Sequence, residues 1–327
     1  MDGKDSIEGK NILITGGKGF LGSYLTKYFL ELGANSIIIP TTNIKNITTF
    51  DLLNIDSNRV HIIKGDIRDY EFLRLLFNEY EPNIVIHLAA LSEVRKCQKD
   101  AKLALDINLH GTISLLEVIR LYSQPEVVII ASSDKAYGKG DLPYKEDQAL
   151  QGKGIYEVSK SCTDLIARAY AKNYELPIVV TRCCNLYGGG DLNFSRIIPN
   201  TIRQLLRNKQ PLIWVGSESA KREFLYVEDA VIAYQLLIEN ISIAKGKAYN
   251  IGSGDVISIG DLVDLIIAKF ITNIKPEYKT KDFPEIIDQY LNSEKIKTEI
   301  GWESITDFAT GLSKTIDFYK LNKSRLL

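Results

Sequence analysis

The stretch Asn11-Ile12-Leu13-Ile14-Thr15-Gly16-Gly17-Lys18-Gly19-Phe20-Leu21-Gly22 decides the fold. Its first five residues form an apolar run that reads as a buried strand. The glycines at 16, 19 and 22 follow at once, and Phe20, Leu21, Tyr24, Leu25, Tyr28 and Phe29 then recur at helical spacing. Strand, glycine turn and helix in that order let the backbone approach a pyrophosphate closely and set it against a helix N-terminus. The pattern predicts a dinucleotide site.

Outward from this unit, further apolar runs alternate with helical patterns. Strands are predicted at 35–40, Val60-His61-Ile62-Ile63, Ile84-Val85-Ile86-His87-Leu88, Val127-Val128-Ile129-Ile130 and Pro177-Ile178-Val179-Val180-Thr181. The alternation predicts a doubly wound parallel sheet, an α/β fold of Rossmann type. Asp69 is a plausible helix N-cap. One long helix is predicted from about Ala101 to Tyr122. Asn108 and Gly111 lie inside it as poor helix formers, which suggests close packing or a polar contact. After Arg182 the regular alternation breaks. Asn185-Leu186-Tyr187-Gly188-Gly189-Gly190-Asp191 reads as a loop too rich in glycine for a regular element. Beyond it come a helix at about 195–207, a strand at 211–215, a helix at 227–239, a strand at 247–251 and a final helix at about 258–270. The expected division is a dinucleotide domain of 1–182 plus about 225–252, with a smaller interleaved substrate domain of about 183–224 plus 253–327.

Composition narrows the function. The 327 residues are 45% hydrophobic and 25% charged, ordinary for a soluble globular protein. A net charge of −1 gives no electrostatic reason to expect nucleic acid or an anionic membrane as partner. No apolar run is long enough to span a bilayer, and residues 1–10 lack the apolar core of a signal peptide. Cys97, Cys162, Cys183 and Cys184 have no metal-ligand spacing, so no metal is expected. They read as free thiols in a reducing cytoplasm.

The chemistry is expected where Ser132-Ser133-Asp134-Lys135 ends the fifth strand, because ligands of open parallel sheets bind at the carboxyl ends of strands. Tyr156 and Lys160, four apart, share one helix face. An ammonium beside a phenol favours phenolate, which could take a proton from an alcohol as hydride leaves the same carbon. Ser133 could hydrogen-bond that alcohol. His87, within a strand, reads as a structural histidine. Asp66 could accept from an adenine amino group or cap a loop. The segment 40–45 after the second strand holds neither a carboxylate nor an arginine, leaving NAD and NADP open. Lys45 there could approach a 2′-phosphate or be solvated.

Taken together, the glycine loop, Gly65-Asp66, His87-Leu88-Ala89-Ala90, Asn108, Ser132-Ser133, Tyr156-x-x-x-Lys160, Arg182-x-x-Asn185-x-Tyr187-Gly188, Arg222-Glu223-Phe224 and Asn250-Ile251-Gly252 resemble an extended short-chain dehydrogenase/reductase. The resemblance is to the branch of sugar-nucleotide epimerases and dehydratases and spans nearly the whole chain. Asp134-Lys135 and Tyr187-Gly188-Gly189-Gly190-Asp191 resemble CDP-glucose 4,6-dehydratases. The segment Arg222 to Asp229 instead resembles the general epimerase and dehydratase pattern.

The resemblance implies a cytoplasmic homodimer that binds NAD and acts on a nucleotide sugar. It implies catalytic roles for Ser133, Asp134, Lys135, Tyr156 and Lys160. Cofactor contacts are implied for Gly16, Gly19, Phe20, Leu21, Gly22, Asp66, Ile67, Leu88, Ala89, Ala90, Asn108, Tyr156 and Lys160. Substrate contacts are implied for Ser92, Asn185 and Arg222, the last two on the diphosphate. Arg222 could equally pair with Glu223, and Tyr137 could line the sugar site or fill core space. A 4,6-dehydratase would need Asp134 as acid and Lys135 as base. A 4-epimerase, or a dehydrogenase that only oxidises C4, would leave that pair as bystanders. A sensor would not need Ser133, Tyr156 and Lys160 together.

Overall fold

The computed structural model describes residues 6–44, 46–270, 272–280 and 288–326. Lys45 lies outside them. Strands β1 (Asn11–Thr15), β2 (Ser36–Thr41), β3 (Val60–Lys64), β4 (Ile84–His87), β5 (Val127–Ala131) and β6 (Ile178–Cys183) alternate with helices. They are followed by β7 (Asn185–Tyr187), β8 (Leu212–Trp214), β9 (Lys221–Tyr226), β10 (Ala248–Ile251), β11 (Val256–Ser258), β12 (Glu277–Lys279) and β13 (Asp288–Gln289). Seven strands form one parallel sheet in the order β10-β6-β5-β4-β1-β2-β3. The chain runs outward from β1 to β3, then returns to β4 on the other side of β1. That reversal opens a crevice beyond the carboxyl ends of β1 and β4, the place where such sheets take ligands.

The central strands are largely apolar because helices cover both faces. Their period of two divides the side chains between two cores. Ile12, Ile14, Ile37, Ile39, Ile84, Ile86, Ile129 and Val179 pack on one face, with Tyr234, Leu237 and Trp302 from the later chain. Leu13, Ile38, Val85, Val128, Ile130 and Val180 pack on the other, against Leu73, Phe77, Leu115 and Ala167. Asp69 caps helix Tyr70–Tyr80 by accepting from Phe72 N, as expected.

A third core gathers Tyr187, Ile198, Ile202, Phe224, Tyr226, Leu262, Leu312, Ile316 and Tyr319. It lies against a second sheet in the order β11-β9-β13, with β7 also paired to β9. Here the structure departs from the sequence reading. The supposed loop at 185–191 begins as a strand, since Asn185, Leu186 and Tyr187 pair in register with Phe224, Leu225 and Tyr226 of β9. Helix Ile259–Ala268 is not the last, because Glu294–Ile300, Phe308–Leu321 and Lys323–Leu326 follow.

The predicted long helix is interrupted as well. It runs as α-helix over Ala101–Leu105, widens to a π turn over Asp106–His110, and resumes over Gly111–Tyr122. The widening puts Asn108 against two neighbouring segments. Gly111 lies where a Cβ would press on Ile67.

Candidate active site

The crevice is lined first by the glycine loop. Gly16 has φ +73, a left-handed conformation that glycine adopts without strain, and a Cβ there would lie 3.0 Å from Ala89 N. A Cβ on Gly22 would strike the Gly16 carbonyl. Helix Phe20–Glu31 starts at Gly19 with no side-chain cap and no acidic residue in its first turn. Its N-terminal amides therefore face the crevice as anion donors. Thr15 joins the two strand ends: its hydroxyl accepts from Leu88 N and Ala89 N, both at 3.2 Å, and lies 2.7 Å from His87 Nδ1. His87 is buried, its Nε2 is 3.0 Å from Thr112 Oγ1, and burial lowers its pKa to about 3. It is the neutral structural histidine expected. This backbone cradle fits a dinucleotide pyrophosphate, with Phe20 and Leu21 opening the helix and Leu88, Ala89 and Ala90 half-buried opposite.

Two predicted cofactor residues are engaged within the protein. Asp66 accepts from Arg68 N at 2.9 Å and pairs with the Arg68 guanidinium at 2.6 Å, which holds its carboxyl below the usual range. This is the loop-cap arrangement, with Ile67 buried beside it. Asn108 is 2% exposed. Its Oδ1 accepts from Leu91 N at 2.8 Å, and its Nδ2 donates to Leu91 O at 3.2 Å and Ser159 Oγ at 2.9 Å. Asn108 thus ties the 88–92 loop to helix Ile155–Asn173 instead of pointing into the crevice. Ser92 is exposed on that loop.

Beyond β5, Ser133 opens a short 3₁₀ turn, Asp134–Tyr137. Its hydroxyl accepts from Lys135 N at 3.2 Å and donates to Asp134 Oδ1 at 2.9 Å. Lys135 Nζ lies 3.4 Å from the same Oδ1 and 3.2 Å from Asn185 Oδ1. Asp134 is 1% exposed, and its Oδ2 has no hydrogen-bond partner among the described residues. Tyr156 reaches the same cluster, its phenol bonded to Ser133.

The expected ease of phenol ionisation is not observed. Burial pushes the Tyr156 pKa up to about 12, while the bond to Ser133 and the Arg196 charge work in the opposite direction. Lys160 is buried one turn along and donates to Ala131 O at 2.7 Å. Burial brings its pKa down to about 8. Its ammonium is directed at the end of β5, so its charge is not among the main influences on the phenol.

On the opposite wall, Asn185 Nδ2 donates to Glu223 O at 3.1 Å. Arg222 Nη1 donates to Lys221 O at 2.9 Å, and Asp134 is among the charges acting on the guanidinium. The alternative pairing of Arg222 with Glu223 is not formed. The two alternate along β9, and Glu223 is fully buried, accepting from Gly254 N and Leu291 N at 2.8 Å each. Burial raises the Glu223 pKa to about 7. Tyr137 fills the core: it stacks on Tyr144 at 4.8 Å and donates to Asn250 Oδ1 at 2.7 Å. The Arg95 guanidinium sits 5.5 Å over the Trp214 ring, joining helix Val94–Lys99 to β8.

The family model described as GDP-mannose 4,6 dehydratase matches residues 13–315. The chain belongs to that family. Its relatives place it among the nucleotide-sugar dehydratases and epimerases of the extended short-chain dehydrogenase/reductases. A dTDP-glucose 4,6-dehydratase of Salmonella typhimurium is 30% identical, covering 95% of this chain and 93% of the relative. A solved epimerase of Methanothermobacter thermautotrophicus superposes with a TM-score of 0.91 at 27% identity, covering 100% and 96%. A dTDP-glucose 4,6-dehydratase of Bacillus anthracis, solved in complex with NAD, has a TM-score of 0.84 at 28% identity, covering 96% and 98%.

In this 4,6-dehydratase family member, sequence reasoning missed three features. Arg196, whose charge favours the Tyr156 phenolate, is paired to Asp191 at 3.0 Å. Behind the 3₁₀ turn, Arg182 is fully buried and forks onto Asp164 at 2.8 and 3.0 Å, while donating to the Tyr137 hydroxyl at 2.6 Å. The Arg95–Trp214 contact is the third. Each joins residues 5 to 119 positions apart (196 − 191; 214 − 95) that no local pattern relates. The signal available was Arg182 itself, a charge inside an apolar strand and so in need of a partner. Among the described residues no group of side chains could hold a metal, and no helix is long and apolar enough to cross a membrane.

Proposed function

We propose that the protein is an NAD-dependent nucleotide-sugar 4,6-dehydratase. The observation that carries this reading is the state of Asp134. Its Oδ1 already accepts from Ser133 and Lys135, and its Oδ2 is buried and unpaired. A proton on the carboxyl therefore belongs on Oδ2, where it is available to a leaving hydroxyl. A buried polar atom without a partner is costly, and such sites are found where a ligand completes them. An enzyme that only oxidises and re-reduces C4 has no use for an acid and a base beyond tyrosine.

NAD held in the glycine cradle would accept a hydride from C4 and return it at C6. Tyr156, bonded to Ser133, would take the 4-hydroxyl proton as its phenolate, which Ser133 and the Arg196 charge favour against burial, and Lys160 would donate toward the nicotinamide ribose beside its bond to Ala131 O. The 4-ketone acidifies the C5 proton. Lys135 removes it, the pair of electrons forms the C5–C6 double bond, and the 6-hydroxyl leaves as water with the proton of Asp134. Lys135 then returns a proton to C5. Arg222, as a planar fork, takes the diphosphate. The C-terminal third holds the nucleotide sugar over the Rossmann part.

Two of the three relatives named above are dTDP-glucose 4,6-dehydratases, which makes dTDP-glucose the first substrate to test. The Asp134-Lys135 pair keeps CDP-glucose as the second. The free cysteines suit a cytoplasmic enzyme. A homodimer through helices Gly111–Tyr122 and Ile155–Asn173 is supported by exposed Leu121, Tyr122 and Leu165. Mass spectrometry of dTDP-, CDP-, UDP- and GDP-hexoses incubated with the protein and NAD tests the function. Loss of one water from one of them is expected. Conversion to an isomer of unchanged mass would replace this reading with 4-epimerisation.

A further inference from the structure

We propose that Arg182 is a positioning residue that fixes the Tyr156 helix against the turn carrying Asp134 and Lys135, and so sets the spacing between the oxidising and the eliminating groups. The inference rests on the dehydratase reading above. Arg182 stands on β6 and joins the two elements directly. Its Nε and Nη2 donate to the two carboxylate oxygens of Asp164 at 2.8 and 3.0 Å. Asp164 is eight residues beyond Tyr156 and four beyond Lys160, on the same helix face. Arg182 Nη1 donates to the Tyr137 hydroxyl at 2.6 Å, and Tyr137 is the last residue of the 3₁₀ turn. Because the guanidinium is planar, the fork on the helix and the bond to the turn have one relative direction. The Tyr137 hydroxyl is held from its other side too, since its proton goes to Asn250 Oδ1 at 2.7 Å. Asn250 Nδ2 is in turn fixed on Tyr144 O and Asn292 O, at 2.9 and 3.0 Å. A second tie, from Ser161 Oγ to Ala136 O at 2.8 Å, is a single bond about which the turn can tilt. Arg182, Asp164 and Tyr137 are all fully buried, so they act through the elements they hold. A buried ion pair is weak support for stability, because apolar residues of similar volume often serve as well. What apolar residues would not supply is a set of fixed directions.

The spacing matters because the chemistry is divided. Oxidation at C4 uses Tyr156 and Lys160, on helix Ile155–Asn173, and elimination across C5 and C6 uses Asp134 and Lys135, on the turn. These carbons are neighbours in one sugar. A sugar placed for the helix is placed for the turn only while the two elements keep their distance, and a displacement of about 1 Å can cost about 100-fold in rate.

The test compares Tyr137→Phe and Arg182→Lys with the parent enzyme, each loaded with NAD and mixed with the nucleotide hexose that the parent dehydrates. Reduced nicotinamide is followed by absorbance, water loss by mass and folding by thermal melting. Tyr137→Phe deletes one hydroxyl, keeping the aromatic ring and the fork of Arg182 on Asp164. C4 oxidation should stay within a few-fold and elimination should slow about 10- to 100-fold, so that reduced cofactor accumulates in a single turnover. Arg182→Lys keeps the charge and loses the fork, and should show the same split. If the lysine variant does not fold, the phenylalanine variant decides alone. A lower melting temperature with both steps slowed equally would overturn the proposal and leave Arg182 a purely structural residue. So would a phenylalanine variant with the parent's ratio of oxidation to elimination. If the parent enzyme removes no water from any nucleotide hexose, the dehydratase reading itself fails and takes this proposal with it, a result distinct from the other two.

Discussion

At the scale of single residues, the site is defined by which hydrogen bonds are already made. Ser133 serves three neighbours at once: Lys135 N, Asp134 Oδ1 and the Tyr156 phenol. The sequence located Ser133, Asp134, Lys135, Tyr156 and Lys160 because strand ends and helical spacing are local properties. It could not show that Lys160 would be turned to Ala131, since that depends on the depth of the pocket between β5 and the helix. Nor could it show the Tyr156 pKa rising to about 12, where burial outweighs the favourable neighbours. Asp134→Asn keeps the size of the side chain and removes the carboxyl that the proposed mechanism uses as acid. Elimination should fall by about 100-fold or more while C4 oxidation persists. Stopped-flow absorbance of reduced nicotinamide, compared with the rate of water loss, checks this. Parallel loss of both steps would remove Asp134 from the acid role.

At the scale of elements, the β1–glycine–helix unit was legible because the glycines serve the backbone path itself. The π turn was not. Asn108 and Gly111 announced a contact inside a helix, but the widening follows from the need of Asn108 to reach Leu91 and Ser159 together, 17 and 51 residues away. π turns inside α-helices are often found at functional sites. Asn108→Ala would leave Leu91 N without its acceptor and loosen the loop that carries Leu88, Ala89 and Ala90. We expect a loss of about 1–3 kcal/mol in stability and weaker NAD binding. Thermal melts with and without NAD check both. An unchanged melting temperature would mean that the loop is held by other contacts. Strand β7 was missed for a related reason: three residues before a run of glycines are too few to show alternation, and β9 supplies the register.

For the molecule as a whole, the parallel sheet and its two cores follow from the apolar strands, whereas the third core depends on segments after residue 270 that lack strong periodicity. Glu223 shows how that part is secured. It sits inside the protein on two backbone amides, and its raised pKa has a global consequence. The folded chain keeps this proton up to about pH 7, whereas an unfolded glutamate releases it near 4.5. Between those values the folded state binds more protons, so stability falls as pH rises through the interval and this contribution then levels off. The span is on the order of 3 kcal/mol. Denaturant titrations between pH 4 and 8 should show the decline, and Glu223→Gln should flatten it. A parent protein whose stability does not fall over this range would contradict the assignment. Finally, the chain has two tryptophans. Trp302 is 2% exposed, its indole N–H donating to Asp229 O at 3.0 Å, while Trp214 lies half-buried beneath Arg95. One indole is thus screened in the interior and the other is held against a guanidinium from helix Val94–Lys99. The protein therefore carries its own optical probe: changes in tryptophan emission on adding a nucleotide sugar report movement of helix Val94–Lys99 against β8, over a constant background from the interior.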